Sequence, residues 1–137
     1  MAVSLVLLSF SAPAQARIEP LEIPDAPKKV SRTRIDTTPA KVFAQTFMLE
    51  HYGWDAQEFA CLDPLWNAES GWNHRAHNRS SGAYGIPQSL PGSKMQSAGS
   101  DWQTNPQTQI RWGLSYIKQR YETPCGAWNH FQRKRWY

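Results

Sequence analysis

Ile110, Leu114, Ile117 and Tyr121 recur at nearly heptad spacing behind Asn105-Pro106, and no other feature of the sequence constrains the fold as much. Asn before Pro reads as an N-cap followed by the residue best tolerated at the first helical position. Thr123-Pro124 stops the segment. A helix with so regular an apolar stripe has to bury it, so it is expected to run through the centre of the domain. No β-rich run and no internal repeat accompanies it. The expected class is mainly α, with a small irregular or β-hairpin region.

Two further helices are expected upstream. Thr38-Pro39 reads as cap and first helical position, Val42, Phe43, Phe47 and Tyr52 follow at core-facing helical spacing, and Gly53 ends the segment. Asp55 with Glu58 then has the form of a capping box, and Phe59, Leu62, Leu65 and Trp66 make the buried stripe of the second helix. Pro64 lies inside it, so the helix either kinks there or restarts on Asp63. Gly71 is placed to close it in a left-handed conformation, with Trp72 just beyond. Trp72–Pro87 carries no helical period and reads as a loop or hairpin region in which Gly82 and Gly85 allow close approach of backbone to a ligand. Ser93 with Gln96 is expected to cap a short helix ending at Gly99, and GAWNHFQRKRWY after Cys125 reads as an aromatic, basic tail segment.

The start of the chain is of a different kind. Ala2–Phe10 is an apolar run too short to span a bilayer, and Ala14-Gln15-Ala16 has the small-x-small form of a cleavage site, so residues 1–16 are expected to be a signal peptide. Residues 17–38 hold Pro20, Pro24 and Pro27 and are basic in their second half through Lys28, Lys29, Arg32 and Arg34; they read as a solvated spacer. The folded domain is expected over 39–137. In an exported chain, Cys61 and Cys125 most simply form one disulfide. The rival, a zinc site made by both with His74 and His77, matches no common finger spacing. His74, His77 and His130 are otherwise read as surface or loop residues, and neither metal nor cofactor is expected. A formal charge of +4 calls for an anionic partner: nucleic acid, an anionic membrane face or an anionic cell wall. There is no recognisable nucleic-acid motif, and no membrane span is expected after processing.

Glu69 stands out chemically. Leu65 and Trp66 share its helical face, and it sits at a helix C-terminus, where the dipole disfavours negative charge. Apolar neighbours disfavour it further, so the carboxyl pKa is expected to rise. Such a group can donate a proton near neutral pH. The next carboxylate in the sequence after Glu69 is Asp101, whereas most glycosidases use two.

ESGWN at Glu69–Asn73, followed by SGAYGIPQSLPGS at Ser81–Ser93, resembles the soluble lytic transglycosylase-like members of the lysozyme superfamily, and the Ile-Pro before Gln88 with two flanking cysteines looks like small secreted actinobacterial relatives. The resemblance covers about Trp54 to Tyr137 and implies a lysozyme-like helical domain with the irregular region beside a cleft. It implies that Glu69 is the catalytic acid and base, that the glycan strands of peptidoglycan are the substrate, and that the β-1,4 bond between N-acetylmuramic acid and N-acetylglucosamine is cleaved to leave 1,6-anhydro ends. Ser70 is carried over as a residue that orients Glu69 or the glycan, or merely caps the helix. Gly85 and Gln88 are carried over as lining the cleft, Gln88 as a partner for an N-acetyl group, and Trp128-Asn129 as the later aromatic-Asn element. Tyr84 and Trp128 either stack on sugar faces or fill the core. Pro64 and the basic stretch Phe131–Arg135 depart from the pattern. A monomer in the cell envelope or secreted is expected. The alternatives are a hydrolytic muramidase, in which water attacks, a non-catalytic glycan-binding module, and a secreted nucleic-acid binder.

Overall fold

The computed structural model describes residues 37–137, so the expected signal segment and nearly all of the expected spacer lie outside the described residues. Four α-helices and one 3₁₀ segment make up the domain: α1 (Thr38–Tyr52), α2 (Ala56–Ser70), the 3₁₀ segment Gly92–Ala98, α3 (Pro106–Tyr121) and α4 (Pro124–Lys134). Among the described residues there are no strands, and the class is mainly α. No helix among them is long and apolar enough to cross a membrane.

Helix α3 is the element the others surround. Asn105 caps it by accepting from the N–H of Gln107, and Ile110, Leu114 and Ile117 are fully buried. Helix α1 packs on one side of α3 and α4 on another, and α2 lies against both α1 and α4. The buried residues of α1 are Ala40, Ala44 and Met48. Val42, expected in the core, is 57% exposed, because small alanines at the contact let the helices approach closely while Phe43 and Phe47 pack only at its edge. The helix starts at Thr38 after Thr37, one residue before the expected cap, and closes on Gly53 in the left-handed region.

Helix α2 runs unbroken through Pro64. The ring removes one intrahelical donor but does not restart the helix, and Asp63 therefore is not a cap. Of the expected capping box only half forms. Asp55 accepts from the N–H groups of Gln57 and Glu58, whereas the Glu58 carboxylate turns away and accepts from the N–H of Cys125, 2.9 Å distant in the first turn of α4. A carboxylate suits that position because the unsatisfied N–H groups of a helix start carry partial positive charge.

The aromatic, basic segment after Cys125 is not a tail but most of a further helix, α4. Thr123 accepts from the N–H of Gly126 and Pro124 occupies the start of α4, so the dipeptide that stops α3 also opens the next helix. The expected Ser93–Gln96 cap does not form either: the 3₁₀ segment starts behind Pro91 and has no side-chain cap, though Gly99 does close it.

Cys61 and Cys125 form a disulfide, which joins α2 to the start of α4 and excludes the zinc arrangement. It closes a loop with a sequence separation of 64. In the chain-entropy account such a link contributes about 4 kcal/mol. Replacing both cysteines by Ser is expected to cost about 3–4 kcal/mol, read as a lower urea midpoint that reductant no longer shifts.

Candidate active site

The end of α2 is a double-closure motif. Gly71, at φ 60°, donates to the carbonyl of Asn67, and the next N–H, of Trp72, reaches the carbonyl of Trp66. This geometry brings the residue after the glycine back onto the helix. Trp72 lands edge-on against Trp66, with ring centroids 5.1 Å apart and both rings buried. The Trp72 indole N–H bonds the carbonyl of Asp63 at 3.4 Å. These two rings fix the last turn of α2, and with it the direction of Glu69.

Glu69 is half-buried and lines an open cleft of about 420 Å³ together with Asn67, Ala68, Ser70, Gly71, Ala76, His77, Asn78 and Gln88. Among the described residues no second carboxylate lines it. The Glu69 carboxyl makes no hydrogen bond or ion pair with any described residue, and burial pushes its pKa up to about 7. At neutral pH the group is therefore poised between acid and base.

Across the cleft, the backbone of Tyr84 and Ser89 exchanges two hydrogen bonds, each 3.0 Å, around the turn Gly85-Ile86-Pro87-Gln88. This is the hairpin region expected from the sequence, reduced to isolated bridges. Gly85 has φ 78°, and a Cβ there would stand 2.5 Å from the Gln109 side chain. Its freedom thus serves packing, since only a glycine lets the turn lie on α3 this closely. Gln109, fully buried, accepts from the N–H of Ile86 at 2.9 Å and donates to the carbonyls of His74 and Trp102 at 2.9 and 2.8 Å. One amide thus holds three loops to the central helix.

Gln88 faces the cleft with φ 53°. Its Nε2 donates to the carbonyls of Ala76 and Gly85, at 3.3 and 3.0 Å. With both amide protons engaged, it offers a ligand only an acceptor. The Ser70 hydroxyl donates to the carbonyl of Ile86 at 2.7 Å, so it clips the hairpin turn to the end of α2 rather than reaching Glu69.

Glu69, Ser70 and Gln88 are thus brought together, while Tyr84, Gly85, Trp128 and Asn129 stand outside the cleft lining. Tyr84 packs edge-on against Trp102 and donates to the carbonyl of Gln103 at 2.8 Å. Trp128 stacks on Phe131 at the border of the core, and Asn129 is exposed on α4. His77, read as a loop residue, is on the loop and also lines the cleft.

Two residues of this region have no counterpart in the sequence reading. One is Gln109. The other is Tyr137, whose hydroxyl accepts from the Trp66 indole at 2.7 Å and donates to the carbonyl of Pro87 at 3.1 Å. Burial, with the Glu69 charge adding to it, holds that phenol well above its ordinary pKa, so it remains a donor. The face of α3 that reads Gln109, Gly113, Tyr116 was the available signal: it is a second stripe beside the apolar one. Gly113 leaves room there for the Trp66 ring.

The mainly helical architecture is that of a lysozyme-like domain. Residues 51–132 match the transglycosylase SLT domain, and the chain belongs to that family, within the lysozyme-like superfamily. No curated protein and no solved structure matches it. Membership implies transglycosylase-type activity on peptidoglycan, and the disulfide is consistent with an extracytoplasmic location.

Proposed function

We propose that the protein is a lytic transglycosylase that cleaves between N-acetylmuramic acid and N-acetylglucosamine with Glu69 as both acid and base. What carries the reading is the lone half-buried carboxyl with its pKa raised to about 7. Glu69 in its acid form protonates the glycosidic oxygen as the bond from the muramic acid anomeric carbon breaks. The carboxylate left behind takes the proton of that sugar's own 6-hydroxyl, whose oxygen bonds to the anomeric carbon. The 1,6-anhydro ring closes, and Glu69 ends protonated again. One carboxylate serves both steps, in contrast to the pair that most glycosidases use.

The Gln88 oxygen, its amide protons already spent, accepts from an acetamido N–H and sets the register of the strand. Ser70 acts on the site by holding the hairpin turn. Residues 1–16 act as export signal, 17–38 as spacer and 39–137 as the catalytic domain, working as a secreted or envelope monomer of the small actinobacterial type.

The pH dependence follows in sign from the acid role. Proton donation requires the neutral carboxyl, so kcat/KM is expected to be level on the acid side and to fall about tenfold per unit as pH rises beyond the Glu69 pKa, about 7. Turbidity clearance of purified peptidoglycan across a pH series checks this. Cleavage in water carrying heavy oxygen tests the attack itself. Unlabelled products support the intramolecular route, whereas label at the new ends gives the attack to water and makes the protein a muramidase.

A further inference from the structure

Beside the Glu69 cleft, with Gln88 in common, lies a second recess of about 100 Å³, lined also by Pro87, Ser89, Leu90, Lys94, Trp112, Tyr116 and Tyr137. Gln88 borders both spaces, and Tyr137, in its floor, is within electrostatic reach of Glu69. The recess therefore adjoins the Glu69 cleft rather than some remote face.

Its chemistry is two-sided. Trp112 and Tyr116 stack with ring centroids 5.3 Å apart and planes 15° from parallel, forming a flat apolar wall. Leu90 is 53% exposed at the lip. Against these stands Lys94, exposed on the 3₁₀ segment and, among the described residues, the one charged side chain lining the recess. Among the described residues its ammonium makes no ion pair or hydrogen bond; only its backbone groups are bonded, to Pro91 and Ser97. A cation without an ion-pair partner and an aromatic pair lining the same recess suit a ligand with an apolar stem and a carboxylate.

On a peptidoglycan strand the sugars are uncharged, and carboxylates occur on the short peptide attached through the lactyl ether of muramic acid. We infer that this recess is a subsite for that stem peptide, with Lys94 holding its carboxylate and Trp112 and Tyr116 its aliphatic part. The inference rests on the cleavage reading above for the identity of the polymer. It assigns the protein a preference for strands that still bear peptides over strands stripped of them.

The test compares peptide-bearing glycan strands with the same strands after amidase removal of the peptides, using wild-type protein, Lys94→Ala and Lys94→Arg. Cleavage is followed for each, and equilibrium binding is measured in a Glu69→Gln background so that it can be read without turnover. The wild type is expected to favour peptide-bearing strands, and Lys94→Ala to raise KM on them about tenfold with kcat little changed. On stripped strands the same substitution shifts KM less than about twofold, and Lys94→Arg restores most of the preference. Equal losses on both preparations, or no preference in the wild type, overturn the peptide assignment and leave cleavage standing. A peptide-dependent binding difference that needs Lys94, with neither preparation cleaved by the wild type, keeps the subsite and overturns the cleavage reading.

Discussion

Replacing Glu69 by Gln is expected to lower peptidoglycan cleavage at least about a thousandfold while leaving the fold intact. The substitution preserves shape and removes the ionisable carboxyl, on whose giving and taking of a proton both steps of the proposed reaction depend. It has a second consequence, opposite in sign, for stability. The folded-state pKa of Glu69, about 7, lies above the ordinary 4.5. A carboxyl raised in this way favours folding fully below its unfolded pKa, and that contribution is lost as pH rises through the folded value. Above neutrality the wild type therefore carries a charge that its site disfavours, and Gln does not. Allowing for the part of Glu69 that meets solvent, the variant is expected to be more stable by about 1–2 kcal/mol near pH 8 and no more stable near pH 4. Denaturation midpoints at the two pH values, taken beside the activity loss, separate a catalytic Glu69 from one that merely supports the helix end.

The largest structural effect is expected at Gln109. Gln109→Leu keeps most of the volume but deprives the Ile86 N–H and the carbonyls of His74 and Trp102 of their partners at a fully buried position. Each stranded group costs about 1–3 kcal/mol, and partial relaxation keeps the total near 3–5 kcal/mol. The loss also frees the turn that carries Gln88. KM is thus expected to rise in whatever fraction stays folded, and amide exchange at Ile86 to quicken. Gln109→Glu probes the same point differently, since a carboxylate can still accept from Ile86 but faces two carbonyls with nothing to donate.

Much of this architecture was legible along the chain because its signals are local. Gly53 and Gly71 close the two helices before them, Asn105 caps α3, and Ile110, Leu114 and Ile117 are buried as their spacing requires. Glu69 could be singled out for the same reason: its helix, its apolar neighbours and the glycine after it lie within a few residues. The misses are of two kinds. In one, a local sign had two meanings. Thr123-Pro124 reads as a stop and is equally a start, which hides α4 in the sequence, and Glu58 bonds the more distant Cys125 instead of completing its capping box. In the other the partner is remote in sequence, so even the Gln109, Gly113, Tyr116 stripe of α3 does not name what it meets. Tyr137 meets Trp66 across 71 positions, and Gln109 meets His74 across 35. A stripe can mark a face as packed, but pairings across such distances are not spelled out in the sequence.

The measurement that bears most directly on Glu69 as acid and base is mass spectrometry of soluble fragments released from purified peptidoglycan by the mature protein and by Glu69→Gln, side by side. Fragments one water lighter than their reducing counterparts, released by the wild type alone, are the predicted result. Reducing ends from the wild type, or anhydro ends from the Gln variant as well, would contradict it.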